Sequence, residues 1–193
     1  MNVTDLEVFI AAERAAAIAW ARGLVGRTDW VVLDTETTGL GPDAEAVQVA
    51  VLSPSGRTLL DALVRPTVPI PPDATAVHGI DDQAVALAVT YPDVHAALAG
   101  LIAVRTVVAF NASYDRRVLE RTAGRYGYTL PGGTWECSME RYAAFAGDWD
   151  EGHGSFRYQR LPRPVPSAGR HSARSDCRAT LVLIQRMAVA DAG

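Results

Sequence analysis

Trp30-Val31-Val32-Leu33-Asp34-Thr35-Glu36 is the stretch on which the reading of this chain turns. Four large apolar residues in a row, two of them β-branched, form a buried strand. Side chains alternate faces along a strand, so Asp34 and Glu36 point one way and Thr35 the other. Two carboxylates on one face at the end of a buried strand repel each other and lose hydration. A hard cation between them removes both costs, since Mg²⁺ and Mn²⁺ take oxygen ligands. By itself the pair is also what a wet, fraying strand end looks like.

The rest of the chain bounds the context. At 193 residues, with 49% hydrophobic and 21% charged residues, it has the length and composition of one α/β domain with a good core. No run of about 18 apolar residues occurs, so no membrane helix is expected. Asp5 and Glu7 stand where a basic leader region would be, so no signal peptide is read. Cys137 and Cys177 have no second pair and no C-x-x-C spacing, which points to a reducing cytoplasm and away from a disulfide framework or zinc site. The net charge of −4 is unevenly spread. Residues 1–115 carry 6 Arg against 14 acids, and residues 116–193 carry 12 Arg against 8 acids. Every basic residue is Arg. That suits phosphate binding, and a GC-rich coding bias produces the same composition.

Hydrophobic periodicity and punctuation lay out a single domain over 1–193. An N-terminal helix runs from Leu6 to Leu24, within 1–27, outside a core of 28–193. Strand one is Trp30 to Asp34. Ala46–Leu52 and Thr58–Val64 form a hairpin around Ser53-Pro54-Ser55-Gly56. Pro66–Pro72 is a loop, and Asp73–Leu87 holds short helices. Tyr91–Val104 is a helix, Thr106–Phe110 a strand and Ser113–Tyr126 a helix. Thr134–Cys137 is a short strand, Met139–Phe145 a helix and Ser172–Val189 the last helix. Residues 147–170 lack periodicity and read as a variable loop. The fold class expected is α/β: a mixed sheet with helices on both faces and an extra N-terminal helix.

Two further sets of groups carry chemistry. Asp115 lies in the first turn of the helix after the strand ending at Phe110, near the carboxyl edge of the sheet, where open α/β sheets form their sites. It is equally a helix-dipole partner. His171 and Asp176 are separated by four residues at the start of the last helix, close enough to reach one pocket. A Ser–His–Asp triad through Ser172 or Ser175 is discounted, because the chain has no G-x-S-x-G elbow.

The full set, in order, resembles a known family. The likeness rests on Val31-Val32-Leu33-Asp34-Thr35-Glu36-Thr37-Thr38-Gly39-Leu40 and Val77-His78-Gly79-Ile80. It extends to Val107-Val108-Ala109-Phe110-Asn111-Ala112-Ser113-Tyr114-Asp115 and His171-Ser172-Ala173-Arg174-Ser175-Asp176. The chain is similar over residues 28–190 to the DEDDh branch of the 3′→5′ exonuclease superfamily, including the proofreading epsilon subunit of DNA polymerase III. Ser at 172, not the Tyr of the sister branch, fits the His branch. The resemblance implies a ribonuclease-H-like fold and two Mg²⁺ or Mn²⁺ ions. It implies Asp34, Glu36 and Asp176 as ligands of one ion, Asp34 and Asp115 near the second, and His171 as general base. It also implies Thr37, Thr38, Gly39 and Leu40 in a turn holding the terminal nucleotide, with His78, Asn111 and Tyr114 lining that pocket. Two positions depart from the family's habit: Phe110, where His is frequent, and Tyr114, where Phe is frequent.

The implied reaction is hydrolysis of the 3′-terminal phosphodiester to a nucleoside 5′-monophosphate. Two cations about 3.5–4 Å apart can activate water and stabilise both the attacking and the leaving oxygens, and an imidazole can take the water's proton near neutral pH. The expected partner is a single-stranded 3′ end, with DNA favoured and an exoribonuclease of the same fold as the alternative. A decayed nucleic-acid-binding module and a phosphoesterase acting on free nucleotides are further readings. All five chemical groups are present, which argues against the decayed module. No clamp-binding motif and no polymerase domain is visible, so a polymerase or repair partner stays open. In the 147–170 loop, Trp149, Phe156 and Tyr158 interleave with Arg157, Arg160 and Arg163, a pattern that grips single strands. A surface loop whose aromatics pack on the domain looks the same in sequence.

Overall fold

The computed structural model describes residues 3–162 and 171–191. A long helix, α1 (Val3–Val25), precedes β1 (Trp30–Thr37), β2 (Ala46–Leu52) and β3 (Thr58–Leu63). Three helices follow: α2 (Pro72–His78), α3 (Asp82–Val85) and α4 (Tyr91–Ile102). Then come β4 (Thr106–Ala109), α5 (Ala112–Arg125), β5 (Thr134–Cys137), α6 (Ser138–Ala146), β6 (Trp149–Asp150), β7 (Ser155–Phe156) and α7 (Ala173–Val189). One sheet has the order β3-β2-β1-β4-β5. Its first three strands are antiparallel, and β1, β4 and β5 are parallel. It is the mixed sheet expected, with β1 at its centre.

Strand alternation sorts the core into two layers. Trp30 and Val32 pack on one face with Ala17, Ala21 and Leu24 of α1 and Cys177, Leu183 and Ile184 of α7. Val31 and Leu33 pack on the other face with Leu98 and Ile102 of α4 and Val118 and Leu119 of α5. A period of two therefore carries Asp34 and Glu36 toward α7 and Thr35 toward α5.

Several boundaries differ from the sequence reading. Strand β1 runs to Thr37, so Thr37 is a strand residue and the turn begins after it. Gly39, at φ 148°, makes the exit from the strand in a conformation that favours glycine. The 147–170 segment is not featureless: β6 and β7 form a small hairpin, pairing Trp149 with Phe156. A two-residue strand is too short for periodicity to reveal. Helix α1 is more than a decoration. Ala17, Ile18, Ala21 and Leu24 are buried, and Arg22 donates to the carbonyls of Ala188 and Ala190 at the end of α7, at 2.9 and 2.8 Å.

Candidate active site

The site lies at the carboxyl ends of β1 and β4, where α5 and α7 begin. Helix α7 sets one side of it. Ser172 caps the helix, accepting the Ser175 amide, so Asp176 sits in the first turn, where the helix dipole favours a carboxylate. The Ser175 hydroxyl reaches Asp176 Oδ1 at 3.4 Å. His171 precedes the cap, and its amide donates to the Val77 carbonyl at the end of α2 at 3.0 Å. His171 Nδ1 lies 3.5 Å from Asp176 Oδ2.

Ligand atoms of Glu36, His171 and Asp176 lie within 4.8 Å of one another. The sequence reading had grouped Asp34 and Glu36 with Asp176 and kept His171 apart as a base. The structure brings the imidazole into the same cluster. The buried Cys177 thiol is pushed well up, first by burial and then by the negative charges of Asp34, Asp115, Asp176 and Asp61.

Asp115 is held from the α5 side. Its Oδ1 accepts from the Thr35 amide at 3.0 Å and from the Thr35 hydroxyl at 2.8 Å. Burial raises its pKa to about 7. The Thr35 hydrogen bonds oppose that rise, and the charge of Asp176 adds to it. A carboxyl forced toward its neutral form beside other carboxylates is one that a cation would restore to the ionised form. The donor set, carboxylate oxygens and one imidazole, suits a hard divalent ion. Sequence reasoning missed Thr35, although strand alternation had already turned it toward the α5 side.

Two clefts flank the acids. A pocket of about 490 Å³ is lined by Thr35, Glu36, Thr37, Gly39, Leu40, Asp73, Ala74, Val77, His78 and Tyr114. Within it the Tyr114 hydroxyl bridges Thr37 Oγ1 and the Gly39 carbonyl, each at 2.7 Å. Leu40, 88% exposed, forms an apolar lip. His78 is a buried latch. Its Nδ1 accepts from the Ile80 amide at 3.0 Å, which leaves the proton on Nε2 to donate to the Thr37 carbonyl at 3.1 Å. Burial lowers its pKa, against the Thr37 hydrogen bond, so the ring is held neutral.

Two residues expected in this pocket, Thr38 and Asn111, are not among the residues that line it. The Thr38 hydroxyl accepts from the Glu45 amide at 3.0 Å and ties down the 38–45 loop. Asn111 precedes α5, its Oδ1 accepting from the Ser113 hydroxyl at 3.1 Å. Both bonds are local side-chain to loop contacts that motif spacing does not reveal.

The second cleft, of about 310 Å³, is lined by Asp34, Phe110, Tyr158, Arg160, Leu161, His171 and Asp176. The interleaved loop divides here. Trp149 and Phe156 pack on Phe9 of α1, with centroids 5.4 and 6.1 Å away. Arg157 pairs with Asp148 and Asp150, each at 3.4 Å. Tyr158 and Arg160 face the site, and Arg163 lies outside the described residues. No helix among the described residues is long and apolar enough to cross a membrane.

Known proteins resemble this chain. Residues 31–184 match the family described as Exonuclease. An uncharacterized exonuclease, CP81, of Escherichia phage 186 is 38% identical over 175 residues, covering 83% of this chain and 88% of that protein. Exodeoxyribonuclease 10 of Escherichia coli K12 is 34% identical over 110 residues, 56% of this chain and 44% of that one. RNA exonuclease 4 of Kluyveromyces lactis is 26% identical over 161 residues, 80% of this chain and 52% of that one. Among solved structures, exonuclease X in complex with 5′ overhanging duplex DNA overlays with a TM-score of 0.55 at 26% identity, covering 84% of this chain and 95% of its own. Escherichia coli exonuclease I with a dA13 oligonucleotide overlays at 0.66 with 18% identity, over 83% of this chain and 41% of its own, a likeness of fold. The chain thus spans less than half of exodeoxyribonuclease 10 and of exonuclease I. A divalent ion accompanies the fold in a zinc-bound form of exonuclease I with single-stranded DNA.

Proposed function

We propose, because the chain belongs to the Exonuclease family and is a nuclease, that it is a metal-dependent 3′→5′ exonuclease of the DEDDh type, releasing nucleoside 5′-monophosphates from single-stranded 3′ ends. The observation that carries this reading is the cluster of Glu36, His171 and Asp176 ligand atoms within 4.8 Å, set between two clefts of nucleotide size. Asp34, Glu36, Asp115 and Asp176 would hold two Mg²⁺ or Mn²⁺ ions. Such ions supply a water nucleophile at neutral pH and charge stabilisation at the phosphate.

The chain's own residues do the rest. The larger pocket takes the terminal nucleoside, with Leu40 and Tyr114 against the base and sugar. His171, half exposed beside Asp176, accepts a proton from the attacking water. The water oxygen bonds to phosphorus, the P–O3′ bond breaks, and the 3′-oxygen leaves with the shortened strand and takes up a proton. Thr35 keeps Asp115 turned toward the acids.

DNA is the favoured substrate, supported by the likeness to exodeoxyribonuclease 10 and to the exonuclease X complex with DNA. The likeness to RNA exonuclease 4 supports the second reading, an exoribonuclease. The test is Mn²⁺-dependent release of mononucleotides from a 3′-hydroxyl oligonucleotide, run in parallel with a 3′-blocked one, as DNA and as RNA. Asp34→Ala abolishes activity, and His171→Ala lowers kcat about 10²–10⁴-fold. Equal degradation of the blocked strand would overturn the direction. Faster RNA decay would select the second reading.

A further inference from the structure

Between the β6–β7 hairpin and α7, residues 158–160 cross the smaller cleft as a strap fastened at both ends. On one side Phe156 is locked in the aromatic cluster with Phe9 and Trp149, and the Arg157 amide donates to the Asp148 carbonyl at 2.7 Å. On the other side Leu161 is buried in the core beside Phe110 and Ala173. Both tethers fix the path of the chain between them, and that path carries Tyr158 and Arg160 to the wall shared with Asp34, His171 and Asp176.

Among the described residues, neither side chain has a structural partner. Tyr158 is 63% exposed and makes no ring contact among the described residues. Arg160 forms no ion pair among the described residues, although the cleft it lines contains two carboxylates. Arg157, three positions earlier, is occupied by Asp148 and Asp150. A guanidinium at the rim of a carboxylate cluster, bonded to none of it, is available to a phosphate, which it binds with charge-assisted hydrogen bonds.

The two clefts also have a direction. Glu36 lines the larger and Asp34 the smaller, so the acids sit between them. With the terminal nucleoside in the larger cleft and the scissile phosphate at the acids, the leaving strand runs out through the smaller one.

We infer that Arg160 and Tyr158 grip the strand upstream of the bond that breaks: Arg160 binds the phosphodiester one step to the 5′ side, and Tyr158 stacks a base of that segment. This rests on the exonuclease reading. It gives the enzyme a hold on the strand that survives each turnover, and that hold needs no sequence preference.

Three thymidine substrates separate the contributions, in DNA or RNA form, whichever the wild type degrades faster. A dinucleotide with a 5′-hydroxyl lacks the upstream phosphate, its 5′-phosphorylated form has it, and a single-stranded oligonucleotide has it with further bases. Arg160→Ala raises KM on the oligonucleotide about tenfold or more, as for loss of a charged hydrogen bond. The same penalty appears on the 5′-phosphorylated dinucleotide and disappears on the 5′-hydroxyl one, while Arg160→Lys recovers part of it. The slope of log KM against log salt falls by about 0.7, the share of one single-strand phosphate. Tyr158→Ala raises the oligonucleotide KM about fivefold or more, and Tyr158→Phe keeps it. An Arg160→Ala penalty equal on all three substrates, or absent on the oligonucleotide, overturns the grip and leaves the exonuclease reading standing. A wild type that cleaves none of the three overturns both.

Discussion

Asp115 carries an electrostatic tension built into the site. A free carboxyl titrates near pH 4, whereas burial raises Asp115 to about 7. Between those values the native state keeps a proton that the unfolded chain has released, so the metal-free protein loses stability as pH rises through that window. Asp115→Asn keeps an oxygen for the two Thr35 hydrogen bonds and removes the charge. In urea unfolding with EDTA at pH 8 this variant has the higher midpoint, and its stability is flatter than that of wild type from pH 5 to 8, while its activity is lost. A midpoint below wild type would show that the ionised carboxylate is well solvated. His78 works in the opposite sense below about pH 6.5, since a ring buried neutral must charge, and the difference curve between the two proteins cancels it. Thr35 is the second residue to test. Thr35→Val keeps the strand and removes one of the two donors to Asp115 Oδ1. The expected loss is about 10–100-fold in activity or in Mn²⁺ affinity, as for other groups that orient a ligand, with recovery in Thr35→Ser. A Mn²⁺ titration of activity reads it, and an unaltered titration in Thr35→Val would remove Thr35 from the site.

Strand β1 shows how much of the site one element encodes. Its alternation sends Trp30, Val32, Asp34 and Glu36 to the α7 face and Val31, Leu33 and Thr35 to the α5 face, so the acid pair inherits its direction from the core residues before it. That much was legible in seven letters. The β6–β7 hairpin was not, because two-residue strands carry no period. The structure also divides its aromatics: Trp149 and Phe156 are anchors against α1, and Tyr158 reaches the cleft. Phe9, on α1, therefore matters at a distance. Phe9→Ala removes two ring contacts, each worth about 0.5–1.5 kcal/mol, and loosens the strap that ends at Arg160. The expected result is a raised KM for oligonucleotides with little change on a 5′-hydroxyl dinucleotide. A uniform loss on both would mean that Phe9 acts only through global stability.

For the molecule as a whole, α1 and α7 share one side of the sheet. Residues 1–27 read in sequence as a helix outside a core of 28–193, yet Ala17, Ala21 and Leu24 share one buried cluster with residues of α7 and β1, and Ile18 is buried as well. A chain beginning at residue 28 exposes that apolar face of α7 together with Trp30. It is expected to aggregate or to lose cooperative unfolding, read by light scattering and thermal melts. Ile18→Ala alone costs about 2–5 kcal/mol. A soluble, active 28–193 fragment would make the helix an accessory after all. Along the chain, apolar runs and turn residues sufficed to define the mixed sheet and the order of its main strands and helices, whereas the order of acids and histidine pointed to the five chemical groups through a family resemblance. These signals act over a few residues, through side-chain period and capping. The joining of Thr35 to Asp115 across 80 positions and the division of labour among Arg157, Arg160 and the loop aromatics came from packing. Each depends on which distant surfaces meet when the two core layers close, and no local pattern carries that information.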